Sequence, residues 1–156
     1  NMVEIKMTNE ELYLKFPGVL REKLLKKEIE LPDSAQFEYP RIYTYRAVER
    51  KDGDNREVTM EDFKSYFELG KTPKKKPRGV VQDYTKDPHY YGTSSFLKRE
   101  RVEQIMKFPN PNKKLAAGYV YCEGGPQSTS DGHVCWWLYE EANVSEFKLI
   151  LEENYG

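Results

Sequence analysis

The chain has two histidines, His89 and His133, so any chemistry built on imidazole has only two places to occur. His133 follows Asp131-Gly132 and opens the aromatic run His-Val-Cys-Trp-Trp-Leu-Tyr. A hydrogen bond from Asp131 to His133 would fix the imidazole tautomer and suit it to work as a general base. Ser94, Ser95, Ser128 and Ser130 are the hydroxyls such a base would activate. His89, between Pro88 and Tyr90, reads as a loop residue. Glu140 and Glu141 directly follow the aromatic run and are its nearest carboxylates downstream. Neither CxxC nor HExxH occurs, so no metal site is expected. The patterns GxSxG, GxGxxG, the P-loop and the EF-hand loop are also missing from the sequence. Gly124-Gly125-Pro126 is a glycine turn without the lysine and helix start of a phosphate loop.

Arg46 raises a different question. Residues 41–50 alternate, with Ile42, Thr44, Arg46 and Val48 on one side and Tyr43, Tyr45, Ala47 and Glu49 on the other. This is a strand signature, and it carries a guanidinium onto a mostly apolar face. Arginine does not shed its proton, so burial demands a partner. The expectation is a carboxylate, for example Glu140 or Asp83, or a bound anion.

The elements that must position these groups follow from local signals. Thr8-Asn9-Glu10-Glu11 is a capping box, and two short helices are expected over 9–16 and 18–28, broken at Pro17-Gly18. Thr59-Met60-Glu61-Asp62 starts a further helix that Gly70 closes. Prolines and cations make residues 71–79 an exposed basic loop. Thr93-Ser94-Ser95 reads as the N-cap of an amphipathic helix reaching Phe108. Strands are expected over 115–122, 133–139 and 147–151, with a polar loop at 124–132, a turn or short helix over 140–145, and a hairpin across 115–139. Adjacent Trp136 and Trp137 must point to opposite sides of their strand, so both sheet faces are expected to be covered. The fold class is therefore α+β: an antiparallel or mixed sheet of about four to six strands with helices packed on it, one domain over 1–156.

Bulk properties limit the function classes. The 156 residues carry 25 basic and 26 acidic side chains, a formal charge of −1 that argues against a dedicated DNA-binding module. Aromatics make up 13% of the chain, far from a disordered composition. The two cysteines, Cys122 and Cys135, read as buried thiols in a reducing compartment, with a cross-strand disulfide as the alternative. There is no membrane-length apolar run and no signal-peptide pattern, so the expected location is cytoplasmic, with Asn1 an expression scar ahead of Met2.

The order Arg46, then Thr93-Ser94-Ser95, then Glu140-Glu141 resembles the Arg, Ser-Thr-Ser, Glu arrangement of the ADP-ribosyltransferases. That resemblance implies NAD as cofactor, with Arg46 on its phosphate and Ser94 positioning it. Glu140 or Glu141 would then support an oxocarbenium-like transition state. The leading expectation is a small intracellular module that binds a small molecule or an unknown protein partner, without cofactor. Its pocket would be lined by Tyr45, Arg46, Ser94, His133, Trp136 and Glu140. A third expectation is RNA binding, with the cations of residues 71–78 on phosphates and Tyr84, Tyr90 and Tyr91 as stacking surfaces.

Overall fold

The structure, a computed structural model, describes residues 7–73 and 83–151. Short polar side chains set the helix starts. Thr8 accepts the Glu11 amide at 3.2 Å and begins α1 (Asn9–Tyr13). Pro17 precedes α2 (Gly18–Leu25), which buries Leu20 and Leu24 beside Phe16. The segment after Thr59 is divided. A 3-10 helix over Met60–Phe63 ends at Lys64, and Ser65 caps a separate α3 (Tyr66–Leu69). Both starts are capping boxes, closed by Asp62 and by Glu68. Gly70, with φ 66°, ends α3 in the left-handed region that glycine enters without strain. The fourth helix is α4 (Arg99–Ile105).

The strands are β1 (Ile42–Glu49), β2 (Thr93–Phe96), β3 (Lys113–Val120), β4 (Gln127–Ser130), β5 (His133–Trp136) and β6 (Lys148–Leu149). They form one six-stranded antiparallel sheet in the order β4-β5-β2-β1-β3-β6. The β1–β3 ladder runs the full strand length, from Ile42 opposite Val120 to Glu49 opposite Lys113. By contrast, β1 and β2 meet at the single pair Tyr45 and Phe96.

Both faces of the sheet carry packed clusters, and the class is α+β. One face packs Val48, Ala116, Val120, Val134 and Trp136 against Val58, Phe63, Val144 and Phe147. The other carries two separate clusters. Val102 of α4 sits on Phe96 and Leu115, and Phe16, Leu20 and Leu24 pack on Cys135, Trp137 and Tyr139. Trp136 and Trp137, both fully buried, anchor opposite faces as their strand period requires. Each removes ~200 Å² of ring from water, worth about 5 kcal/mol before conformational entropy is counted. Their indole N–H groups are satisfied by the carbonyls of Gly125 at 3.1 Å and Pro88 at 2.9 Å.

Several local expectations are corrected. Thr93-Ser94-Ser95 is not a helix cap but the body of β2, held by a four-pair ladder to β5. The helix begins at Arg99 instead. The expected polar loop contains β4, so the hairpin is β4–β5, while β3 lies across the sheet between β1 and β6. The last strand pairs only at Lys148 and Leu149. Of the basic loop expected over 71–79, residues 74–79 lie outside the described residues. Among the described residues no helix is long and apolar enough to cross a membrane.

Candidate functional site

Residues directly opposite each other on antiparallel strands share a face, and this rule sorts the candidate residues. On β2 and β5, Ser94 is opposite Cys135 and Phe96 is opposite His133. Ser94 and His133 are thus diagonal neighbours on one face, and the Ser94 Oγ lies 2.8 Å from the His133 Nε2. Tyr45, opposite Phe96 across the β1–β2 seam, shares that face. Arg46 and Trp136 belong to the other face, in the layer of Phe63 and Phe147. Glu140 lies past the end of β5 and is exposed, with its backbone N–H donated to the Lys15 carbonyl. Glu141 is exposed as well. Of the six predicted pocket residues, the fold therefore brings Tyr45, Ser94 and His133 to one face and separates Arg46, Trp136 and Glu140 from them.

Ser94 is exposed and His133 half-buried, in the interval between the α4 cluster and the cluster built on Trp137. The His133 ring packs on Phe96 at 5.2 Å between centroids, and the Arg101 guanidinium lies 5.5 Å from the same Phe96 ring. On the other side, His89 stands 5.8 Å from the Trp137 ring and 3.0 Å from an Asp87 carboxylate oxygen. Burial lowers the His133 pKa below its ordinary value, and the charges of His89 and Arg101 lower it further. At neutral pH the imidazole is therefore neutral and able to exchange a hydrogen bond with Ser94 in either direction. Asp131, expected to orient His133, does not do so; its carbonyl accepts from Arg101 instead.

The close approach of this segment to β5 depends on Gly92. A Cβ there would come within 2.5 Å of the Cys135 Sγ and 3.1 Å of the Trp137 Nε1. The missing side chain lets the 3-10 helix Pro88–Tyr91 lie against β5 and brings His89 toward the Ser94–His133 face.

Protein-family models, curated proteins and solved structures give no match to this chain.

Arg46 is carried inward as its strand pattern demands, yet among the described residues no carboxylate bonds it. Its Nη2 donates to the Asp62 carbonyl at 2.9 Å and its guanidinium lies 4.2 Å over the Phe63 ring. The Nε and Nη1 atoms are buried without a hydrogen-bond partner, as is the Ser95 hydroxyl. Burial lowers the Arg46 pKa to about 10, against the opposing pull of the Asp62 charge, so the side chain stays cationic at neutral pH. Neither Glu140 nor Asp83 is the partner: Asp83 instead caps the 3-10 helix Tyr84–Lys86.

Sequence reasoning missed Arg50, Asp62 and Arg101. Asp62 had a visible signal, because it closes the capping box at Thr59. That it also holds a buried Arg50 was not visible, since the pairing depends on how the 50–63 segment folds back on β1. Among the described residues no cluster of histidine, cysteine and carboxylate side chains has metal-binding geometry. Both cysteines are free, which corrects the disulfide alternative.

Proposed function

We propose that this chain is a small binding module that takes an anionic small molecule on the sheet face around Ser94 and His133. The observation that carries the reading is the 2.8 Å contact between the Ser94 Oγ and the His133 Nε2 in an accessible interval between two packed clusters. A hydroxyl and a neutral imidazole with the Arg101 guanidinium nearby offer hydrogen bonds beside a fixed positive charge, the chemistry that recognises phosphate or carboxylate groups. The same geometry supports binding better than acyl transfer. Ser94 sits within a regular strand rather than on a turn, and among the described residues no carboxylate is hydrogen-bonded to the His133 ring. Two free thiols fit a reducing compartment, and the cytoplasm is the location we propose.

ADP-ribosyl transfer would need Arg46, Ser94 and a glutamate in one cleft. Here they occupy two sheet faces and a strand end, so NAD enters as one member of a ligand panel rather than as the leading candidate.

The test is a thermal-shift screen with inorganic phosphate, nucleotides, NAD and dicarboxylates at pH 6 and 7.5. A ligand at about 100 times its dissociation constant stabilises by about 2.7 kcal/mol. The expected result is a shift larger at pH 6, where an anion favours protonated His133, and lost in Ser94→Ala and His133→Gln. A shift that survives both substitutions places the ligand elsewhere. A flat panel removes the small-ligand reading and favours a protein partner.

A further inference from the structure

Independently of the Ser94–His133 site, the outer part of the same sheet face carries an aromatic platform that the core does not use. Tyr43 of β1 lies directly opposite Tyr119 of β3, with ring centroids 5.0 Å apart and the planes at 69°. Tyr45 meets the other side of Tyr43 edge-on at 5.5 Å. Tyr43 is 47% exposed even though it sits inside the longest ladder of the sheet. The Arg41 guanidinium stacks 4.2 Å over Tyr119, and Lys148 projects from the neighbouring edge strand β6. Arg41, Tyr43, Tyr119 and Lys148 border a groove of about 340 Å³, where Glu146 is the one acidic neighbour among the described residues.

An exposed tyrosine pair on a rigid ladder presents π faces with little conformational entropy left to lose. Buried packing does not explain their placement, because Tyr43 contributes to none of the three core clusters. Among the described residues that line the groove, two cations stand against one carboxylate, which selects an anionic occupant. Aromatic faces beside Arg and Lys on an open sheet are the elements by which single-stranded nucleic acid is held: bases stack, and cations meet phosphates. A proline-rich peptide also packs on tyrosines, but it gives Arg41 and Lys148 nothing to neutralise.

We propose that the Tyr43–Tyr119 platform binds a short single-stranded nucleic acid segment, with one or two bases stacked on Tyr43 and the Arg41–Tyr119 pair. In this arrangement Arg41 and Lys148 contact the backbone phosphates. Each stacking tyrosine is expected to contribute about tenfold in affinity. Two phosphate contacts on a single strand predict a log–log salt slope near −1.4, about a sevenfold loss between 50 and 200 mM salt.

The experiment is fluorescence anisotropy with labelled oligo(U) and oligo(dT) of roughly eight nucleotides, within the usual site size. Tyr43→Ala should weaken binding about tenfold. Tyr119→Leu, which keeps an apolar side chain in the half-buried position, should do the same with the thermal midpoint unchanged. Arg41→Ala and Lys148→Ala should each flatten the salt slope by about 0.7. The proposal is overturned by absence of oligonucleotide binding, or by affinity that both tyrosine variants leave intact. Loss of binding only when Lys74, Lys75 and Lys76 are neutralised also overturns it, as does Tyr43-dependent binding of a proline-rich peptide in place of the oligonucleotides.

Discussion

Arg50 meets both carboxylate oxygens of Asp62, each at 2.8 Å, with side chains only 4% and 9% exposed. The same Asp62 closes the capping box by accepting the Thr59 amide at 3.0 Å, and its backbone carbonyl receives Arg46. One carboxylate thus ties the end of β1 to the 3-10 helix Met60–Phe63. Asp62→Asn should destabilise the fold by about 3–5 kcal/mol, because it leaves Arg50 buried without a counter-charge. Burial acts to raise the Asp62 pKa, but the hydrogen bonds from Arg50 and Thr59 and the nearby cations outweigh it and hold it below the usual carboxylate value. The stability it provides is therefore complete above the unfolded pKa near ~3.9 and is lost as pH falls through the lower folded value. Urea titrations of the wild type and Asp62→Asn from pH 2 to 7 check both the loss and the flattened acid limb.

The two arginines of β1 and its end should respond in opposite directions. Arg50 has the Asp62 carboxylate and the carbonyls of Glu49, Arg56 and Glu57, so Arg50→Met strands a buried acid and costs about 3 kcal/mol or more. Arg46 has one carbonyl, one ring face and two buried nitrogens, Nε and Nη1, without a partner. Arg46→Met should therefore be neutral or stabilising by about 1 kcal/mol or more. A loss above about 2 kcal/mol in Arg46→Met would show that its charge has a partner the fold requires.

His133 makes a further pH dependence. Its folded pKa lies below the unfolded value near ~6.5, chiefly through burial and then through His89 and Arg101. The unfolded chain takes up the proton first, so this contribution is present above about pH 6.5 and declines as pH drops through the folded value. His133→Gln should flatten the stability profile between about pH 7 and 5. NMR titration of the His133 ring in the folded protein gives the direction directly, and a value above that of a model peptide would contradict the assignment.

Gly125 is the most restrictive glycine turn. Its φ is 137°, and a Cβ would overlap the carbonyl of Trp137, a backbone atom with no rotamer to change. Its own carbonyl also accepts from Tyr39 and from the Trp136 indole. Gly125→Ala should abolish cooperative folding or cost several kcal/mol, above the usual ~1–3 for overpacking. Gly53→Ala, at φ 84° with open space around it, should cost about 1 kcal/mol. Thermal melts of the two variants side by side make the comparison.

The thiols should differ in reactivity. Cys135 is 2% exposed and burial pushes its pKa up to about 12, whereas Cys122 is half-buried. Ellman's reagent should label Cys122 in the folded protein and reach Cys135 only on unfolding. Two equivalents released rapidly from the native state would contradict the packing of Cys135 under Phe16 and Trp137.

What the sequence determined was what can be encoded locally. The alternation over β1, the N-caps at Thr8 and Thr59, and the opposed pair Trp136 and Trp137 each depend on residues a few positions apart and are found in the structure; at Thr8 only the side-chain half of the expected box forms, since Glu11 bonds the Thr8 hydroxyl rather than its backbone amide. The strands β2 and β4 were illegible because Thr93-Ser94-Ser95 and Gln127-Ser128-Thr129-Ser130 have no apolar alternation; their extended form comes from ladders to β5. The inward course of Arg46 follows from strand period, but its companion depended on which segment folded over β1, and Arg50 took the Asp62 carboxylate. Ser94 and His133 are 39 residues apart, and only the register of β2 on β5 makes them neighbours. Local chemistry chose the elements; long-range register and the competition for a buried carboxylate decided which side chains meet.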